Sequence, residues 1–291
     1  LKRVDRCMKT GLVLEGGAMR GMYTAGVLDV MMENHVEVDG VIGVSAGAVF
    51  GCNYKSKQIG RVIRYNTKYC CDERYVSLKS LIKTGDLYGA EFCYNELPTR
   101  LDPFDVKTYQ ENPVDFYVTC TDVHTGRPVY HLCNRGDAED IQWMRASASM
   151  PLVSRIVSVG GYDLLDGGIS DSIPIRWFLK QGYKKNIVIL TQPSGYRKKP
   201  TRMIPIFKVF MRKYPEIAKA MERRHRNYNG SLKAVKKLEE RGEVFLLQPS
   251  EPITIGRTEK DPEKLKQVYQ LGRRDAQAHL QEMKNFLASN I

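Results

Sequence analysis

A serine flanked by glycines, Gly43-Val44-Ser45-Ala46-Gly47, ends the apolar run at residues 38–44. In a G-x-S-x-G pattern the serine sits on a sharp strand-to-helix turn with its hydroxyl exposed. Upstream, Glu15-Gly16-Gly17-Ala18-Met19-Arg20-Gly21 leaves another apolar run, residues 10–14, as a glycine-rich turn. Turns of this kind free backbone N–H groups to meet an anion. One block supplies a nucleophile and the other holds negative charge, which are the two needs of acyl transfer. Downstream, Asp166-Gly167-Gly168 follows a third apolar stretch. In isolation Asp-Gly is a turn dipeptide, but here the carboxylate is a candidate acceptor for the serine proton. Carboxylates are weak bases, near pKa 4 in water. Burial must raise that affinity, or proton transfer must accompany attack.

An imidazole is the other candidate base. The five histidines are His35, His124, His131, His225 and His279. His124 and His131 flank a predicted hairpin and leave a Ser-His-Asp arrangement open. His225 and His279 lie in basic, helix-like sequence, where a solvated surface position is expected. The glycine-rich turn also resembles a dinucleotide fingerprint. Ala18 replaces its third glycine, however, and no strand-end acid follows about 20 residues on. An oxyanion hole made by the N–H groups of Gly17, Ala18 and Gly16 is the better assignment. Loss of one such donor costs about 3 kcal/mol in the barrier.

These groups need strands that stop where helices start. Residues 10–14 and 38–44 read as buried strands, and residues 19–33 and 46–54 as the helices that follow. Residues 55–113 read as mainly helical and as part of a substrate entrance. Further strands are predicted at 114–120, 128–133 and 187–190, with a hairpin over 155–165 and a helix over 137–149. Asp171 or Ser172 is expected to cap a helix running to Gln181. This alternation predicts a largely parallel sheet covered on both faces. Beyond residue 195 come a basic helical stretch (201–241), a short strand (244–247) and a helical tail (262–287).

The net charge of +12 is concentrated. Residues 196–241 hold 15 Lys and Arg against 4 Asp and Glu, which points to an anionic partner or a solvated helix face. Met203, Ile204, Ile206, Phe207, Val209, Phe210 and Met211 alternate with Arg202, Lys208, Arg212 and Lys213. That mixture suits an interfacial helix on an anionic bilayer, and equally an amphipathic helix packed on the domain. No motif indicates nucleic-acid binding. No apolar run is long enough to span a membrane. The start of the chain, residues 1–6, is charged and lacks a signal-peptide core. The seven cysteines form no C-x-x-C pair, so reduced thiols and a cytoplasmic location are expected.

The three ordered blocks resemble those of bacterial patatin-like phospholipases: an acidic residue with G-G-G-x-[RK]-G, then G-x-S-x-G, then D-G-[GA]. Ala146-Ser147-Ala148-Ser149-Met150-Pro151 is similar to the family's A-S-x-x-x-P stretch. The resemblance covers residues 10–192. It implies a three-layer α/β/α sandwich with a mostly parallel central sheet. A catalytic domain at 8–195 and a basic, mainly helical region at 196–291, packed on it or appended to it, are expected. The resemblance further implies a Ser45–Asp166 dyad, an oxyanion hole at Gly16, Gly17 and Ala18, and Arg20 supporting the loop or meeting a phosphate. Gly21, Gly43, Gly47, Gly167 and Gly168 complete the motifs. The implied activity is hydrolysis of lipid acyl esters without metal or cofactor. Residues 196–241 lie outside the resemblance, and their basic composition is what suggests peripheral contact with an anionic membrane, at its inner face. The alternatives are a lipid-binding or regulatory protein of weak turnover, suggested by Ala18 in place of the family's third glycine, and a Ser-His-Asp esterase.

Overall fold

The computed structural model describes residues 8–289, so the expectations for residues 1–6 and Cys7 fall outside the described residues. In chain order the first elements are β1 (Lys9–Leu14), α1 (Met22–Glu33), β2 (Gly40–Val44), α2 (Ala46–Lys55), α3 (Arg61–Tyr69), α4 (Leu78–Thr84) and α5 (Val106–Glu111). A π-helical stretch, Phe92–Leu101, lies between the last two. Next come β3 (Asp115–Asp122), β4 (Pro128–Leu132), α6 (Ala138–Ser147), β5 (Val157–Val159), β6 (Tyr162–Asp166), α7 (Ile175–Lys180) and β7 (Tyr183–Ile189). The rest is α8 (Ile204–Phe210), α9 (Pro215–Glu240), β8 (Val244–Leu247), α10 (Pro262–Ala278) and α11 (Leu280–Ala288).

Among the described residues eight strands form one sheet, ordered β5-β6-β3-β2-β1-β7-β8, with β4 also paired to β3. The run from β3 to β8 is parallel, and β4, β5 and β6 are antiparallel. Alternation along β1 sets the layers. Leu12 and Leu14 face a core shared with α1, α2 and α10. Val13 faces the opposite core, with Ile175 and Phe178 of α7 and Tyr228 and Val235 of α9. Fully buried side chains of this size each contribute on the order of 2 kcal/mol. The result is the expected three-layer α/β/α sandwich. Its parallel strands all end on one edge, where the strand-to-helix turns collect.

Several boundaries differ from the sequence reading. The turn after β1 is a short 3-10 segment, Ala18–Gly21, before α1 proper. Pro174, rather than Asp171 or Ser172, precedes α7, and Asp171 instead accepts the Tyr130 hydroxyl at 2.8 Å. The tail divides at His279 into α10 and α11. β8 pairs with β7, and α10 crosses α1 backbone against backbone. A Cβ at Gly26 would collide with the Tyr269 carbonyl, and one at Gly272 with the Tyr23 carbonyl. Tyr269 donates to Asp29 at 2.7 Å, and Arg273 pairs with Glu33 at 2.7 Å across the same crossing. Among the described residues no helix is long and apolar enough to cross a membrane.

Candidate active site

Ser45 stands between the end of β2 and the start of α2 with φ 55° and ψ −123°. This is a strained conformation for a residue with a side chain, costing about 1–3 kcal/mol. The surroundings hold it. The Ser45 N–H donates to Ser147 Oγ at 2.9 Å, and the Ser147 hydroxyl donates to the Thr119 carbonyl of β3 at 2.7 Å. Gly16 lies so close that a Cβ there would come within 2.7 Å of Ser45 Cβ. Gly43 faces the first turn of α2, and Gly47 rests against the end of β1. Half-buried, Ser45 sits at the N-terminus of α2, which favours negative charge at the serine oxygen.

Asp166 ends β6, opposite Cys120 of β3, and is only 2% exposed. Its N–H donates to the Ser149 carbonyl at 2.8 Å, and its Oδ1 accepts the Gly168 N–H at 2.7 Å. The Ser45 hydroxyl is near enough to act on the same carboxylate. Burial pushes the carboxyl above the usual carboxylate range. The Ser45 hydroxyl, the Arg224 charge and the Gly168 N–H oppose that rise only in part. Gly167 abuts the Thr119 backbone, and the Gly168 carbonyl accepts Arg224 Nε at 2.5 Å.

The N–H groups of Gly16, Gly17 and Ala18 have no protein partner among the described residues. Ala18 adopts φ 49°, so its Cβ costs on the order of 1 kcal/mol while its N–H is retained. Gly21 packs on Ala46 and Phe50, and Arg20 keeps a buried Nε without a partner. Glu15 anchors the turn. Its carboxylate accepts the Thr191 N–H at 2.7 Å and the Tyr228 hydroxyl at 2.7 Å.

Ser45 and Ala18 open into a cavity of about 760 Å³. Phe50, Tyr65, Tyr75, Leu97, Phe104 and Met144 make much of its wall, four of them from residues 55–113. Lys198, Arg224 and Arg257 line it as well. Neither His124 nor His131 reaches this wall. His124 pairs with Asp163 at 3.0 Å, and His131 stacks on Trp143 with centroids 4.0 Å apart. His225, expected on a solvated face, is instead half-buried in the wall, with Nδ1 unpartnered. The tertiary packing of α9 turned it inward.

Outside the cavity His131, Cys133 and Asp140 bring potential metal-ligand atoms within 4.8 Å. Asp140 Oδ2 is already occupied there by the N–H groups of Arg135 and Gly136, each at 2.8 Å. The described cysteines are all free thiols. Ser147, Tyr228, Arg224 and Lys198 were not singled out as site residues by sequence reasoning. Only Ser147 left a signal, inside the Ala146–Pro151 stretch.

The chain is similar to known proteins over this same region. An uncharacterized protein, YjjU, of Escherichia coli is 32% identical over 196 residues, covering 64% of this chain and 53% of the relative. A lysophospholipase, nte1, of Aspergillus oryzae is 26% identical over 172 residues, covering 57% of this chain and 10% of the relative. The chain thus spans about half or less of the curated relatives it matches. The crystal structure of VipD from Legionella pneumophila aligns with TM-score 0.47 and 12% identity, over 95% of this chain and 67% of that one. Residues 214–288 match a domain of unknown function. A family described as patatin-like phospholipase matches residues 12–179. That span holds the glycine turn, Ser45 and Asp166, and the chain belongs to the patatin-like phospholipase family.

Proposed function

We propose that the chain hydrolyses lipid acyl esters with Ser45 as nucleophile and Asp166 as general base. The observation that carries this reading is Ser45, held on its strained turn in the wall of a largely apolar cavity, with the buried Asp166 carboxylate near enough to feel its hydroxyl. As Ser45 Oγ attacks the ester carbonyl, its proton passes to Asp166. The N–H groups of Gly16, Gly17 and Ala18 receive the developing oxyanion. Collapse expels the alcohol, which takes the proton from Asp166. Water, deprotonated by Asp166, then attacks the acyl-serine, releasing fatty acid and restoring Ser45. A relative described as a lysophospholipase supports a lipid ester as substrate.

The reading extends to contact with an anionic lipid surface. On α8, Phe207 is buried whereas Ile206, Val209 and Phe210 are exposed, Phe210 to 72%. Arg202, Lys208, Arg212 and Lys213 surround them, with Lys208 paired to Glu222 at 2.8 Å. Leu78 and Ile82 of α4 project in the same manner, Ile82 to 87%. Residues 150–156 join the two helices. Leu152 and Ile156 pack in the cluster of Phe207, and the Val153 carbonyl accepts the Leu87 N–H at 2.8 Å just after α4. Residues on both sides of this segment line the cavity.

Turnover of p-nitrophenyl butyrate tests the chemistry. Ser45→Ala and Asp166→Asn should each lose at least about 100-fold in kcat, the low end for a positioned base. His225→Gln should stay within about tenfold of wild type. An active Asp166→Asn beside a dead His225→Gln would replace the dyad with an imidazole base.

A further inference from the structure

One end of the cavity carries more positive charge than the protein neutralises. Lys198 and Arg224 are half-buried and Arg257 stands at the rim, all three in the wall that includes Ser45. Arg20 adds its charge from behind the glycine turn. The carboxylates that act on this group are Glu15 and Asp166. Both have other partners: Glu15 accepts from Thr191 and Tyr228, and Asp166 from the Gly168 N–H. Among the described residues Lys198, Arg224 and Arg257 make no ion pair. The Lys198 ammonium faces the rings of Tyr228 and Tyr196, 4.4 Å from the Tyr228 centroid, and forms no hydrogen bond among the described residues. Burial, with Arg224, Arg20 and Arg257 nearby and Glu15 opposing, lowers its pKa to about 8. Arg224 uses Nε for the Gly168 carbonyl, which leaves its terminal amino groups uncommitted.

Such a cluster is costly to hold without an anion. Guanidinium forks with an added ammonium match the oxygens of a phosphate. The position is specific too, because the Arg224 contact lies two residues from Asp166. An anion held here would lie only a few bonds from an ester carbonyl placed at Ser45.

We propose that Lys198, Arg224 and Arg257 form a subsite for the phosphate of the lipid whose ester lies at Ser45, selecting phosphate-bearing lipids over uncharged esters. The inference rests on the proposed role of Ser45, but binding can be measured without turnover. Calorimetry on the full chain carrying Ser45→Ala would compare dihexanoyl phosphatidic acid, dihexanoylglycerol and inorganic phosphate. Phosphatidic acid is expected to bind at least about tenfold more tightly than dihexanoylglycerol, as for hydrogen bonds to charged groups. Adding Lys198→Met or Arg257→Gln should collapse that preference while dihexanoylglycerol still binds, which also reports a folded site.

Equal affinity for the two lipids, or a preference that survives both changes, would overturn the proposal. Inorganic phosphate binding as tightly as phosphatidic acid would also overturn it, because the ligand would then be free phosphate. Inorganic phosphate that displaces the lipid only at much higher concentration supports it. A wild-type chain that hydrolyses no ester while Ser45→Ala keeps the preference would sink the proposed function and leave the subsite standing.

Discussion

Burial makes Asp166 a stronger base than a surface carboxylate, and if it is the proposed general base this sets where activity fails in acid. A general base works only when ionised, and the Asp166 carboxyl is held above its ordinary range by desolvation. The acid limb of kcat/KM should therefore lie above about pH 3.9, the value for a solvated aspartate. The sign for stability is opposite to that of a salt-bridged aspartate. A raised folded-state pKa contributes stability below the unfolded value and loses it as pH rises through the folded one. Asp166→Asn should thus abolish turnover yet raise Tm at neutral pH. An acid limb at or below pH 3.9, or a lowered Tm, would contradict this account. Ser45, Asp166 and the glycine turn were legible because each lies in a short contiguous motif. Arg224 was not: it meets the Gly168 carbonyl across 56 residues of sequence. No local pattern marks a side chain whose partner is chosen by packing.

At the scale of elements, α8 and α9 divide the basic stretch between two tasks. α9 buries Ile217, Met221, Tyr228 and Val235 and so packs as a structural helix. α8 leaves most of its apolar side chains in water beside the cavity. If α8 meets lipid, neutralising Arg202, Arg212 and Lys213 should weaken binding to anionic vesicles by about 1 kcal/mol each, and less at high salt. Val209→Asp with Phe210→Asp should weaken it at every salt concentration. Co-sedimentation unchanged by both sets of variants would exclude the contact. The alternation of Arg and Lys with apolar residues was visible in sequence, but not which helix would be covered. The π-helical stretch at Phe92–Leu101, with Pro98 inside it, was read only as helical because its wider turn leaves no distinct periodicity.

Across the whole molecule a largely parallel sheet covered on both faces was legible in the alternation of strand and helix segments, whereas the strand order was not. What stayed hidden was how the end of the chain closes onto its beginning. Tyr228 of α9 reaches Glu15 over 213 residues, and Tyr269 of α10 reaches Asp29 over 240. The crossing at Gly26 and Gly272 adds a dynamic consequence. Where Gly26 and Gly272 let the two backbones touch, no side chain can take up a partial separation, and the Tyr269–Asp29 and Arg273–Glu33 contacts are lost together with it. The helices α1 and α10 should therefore open as one cooperative unit. In hydrogen–deuterium exchange the central amides of both helices should share one opening rate, and Gly272→Ala should speed both. Free exchange in α10 beside a protected α1 would refute this. Because α1 starts where the glycine turn ends, each such opening would also unseat the turn beside Ser45.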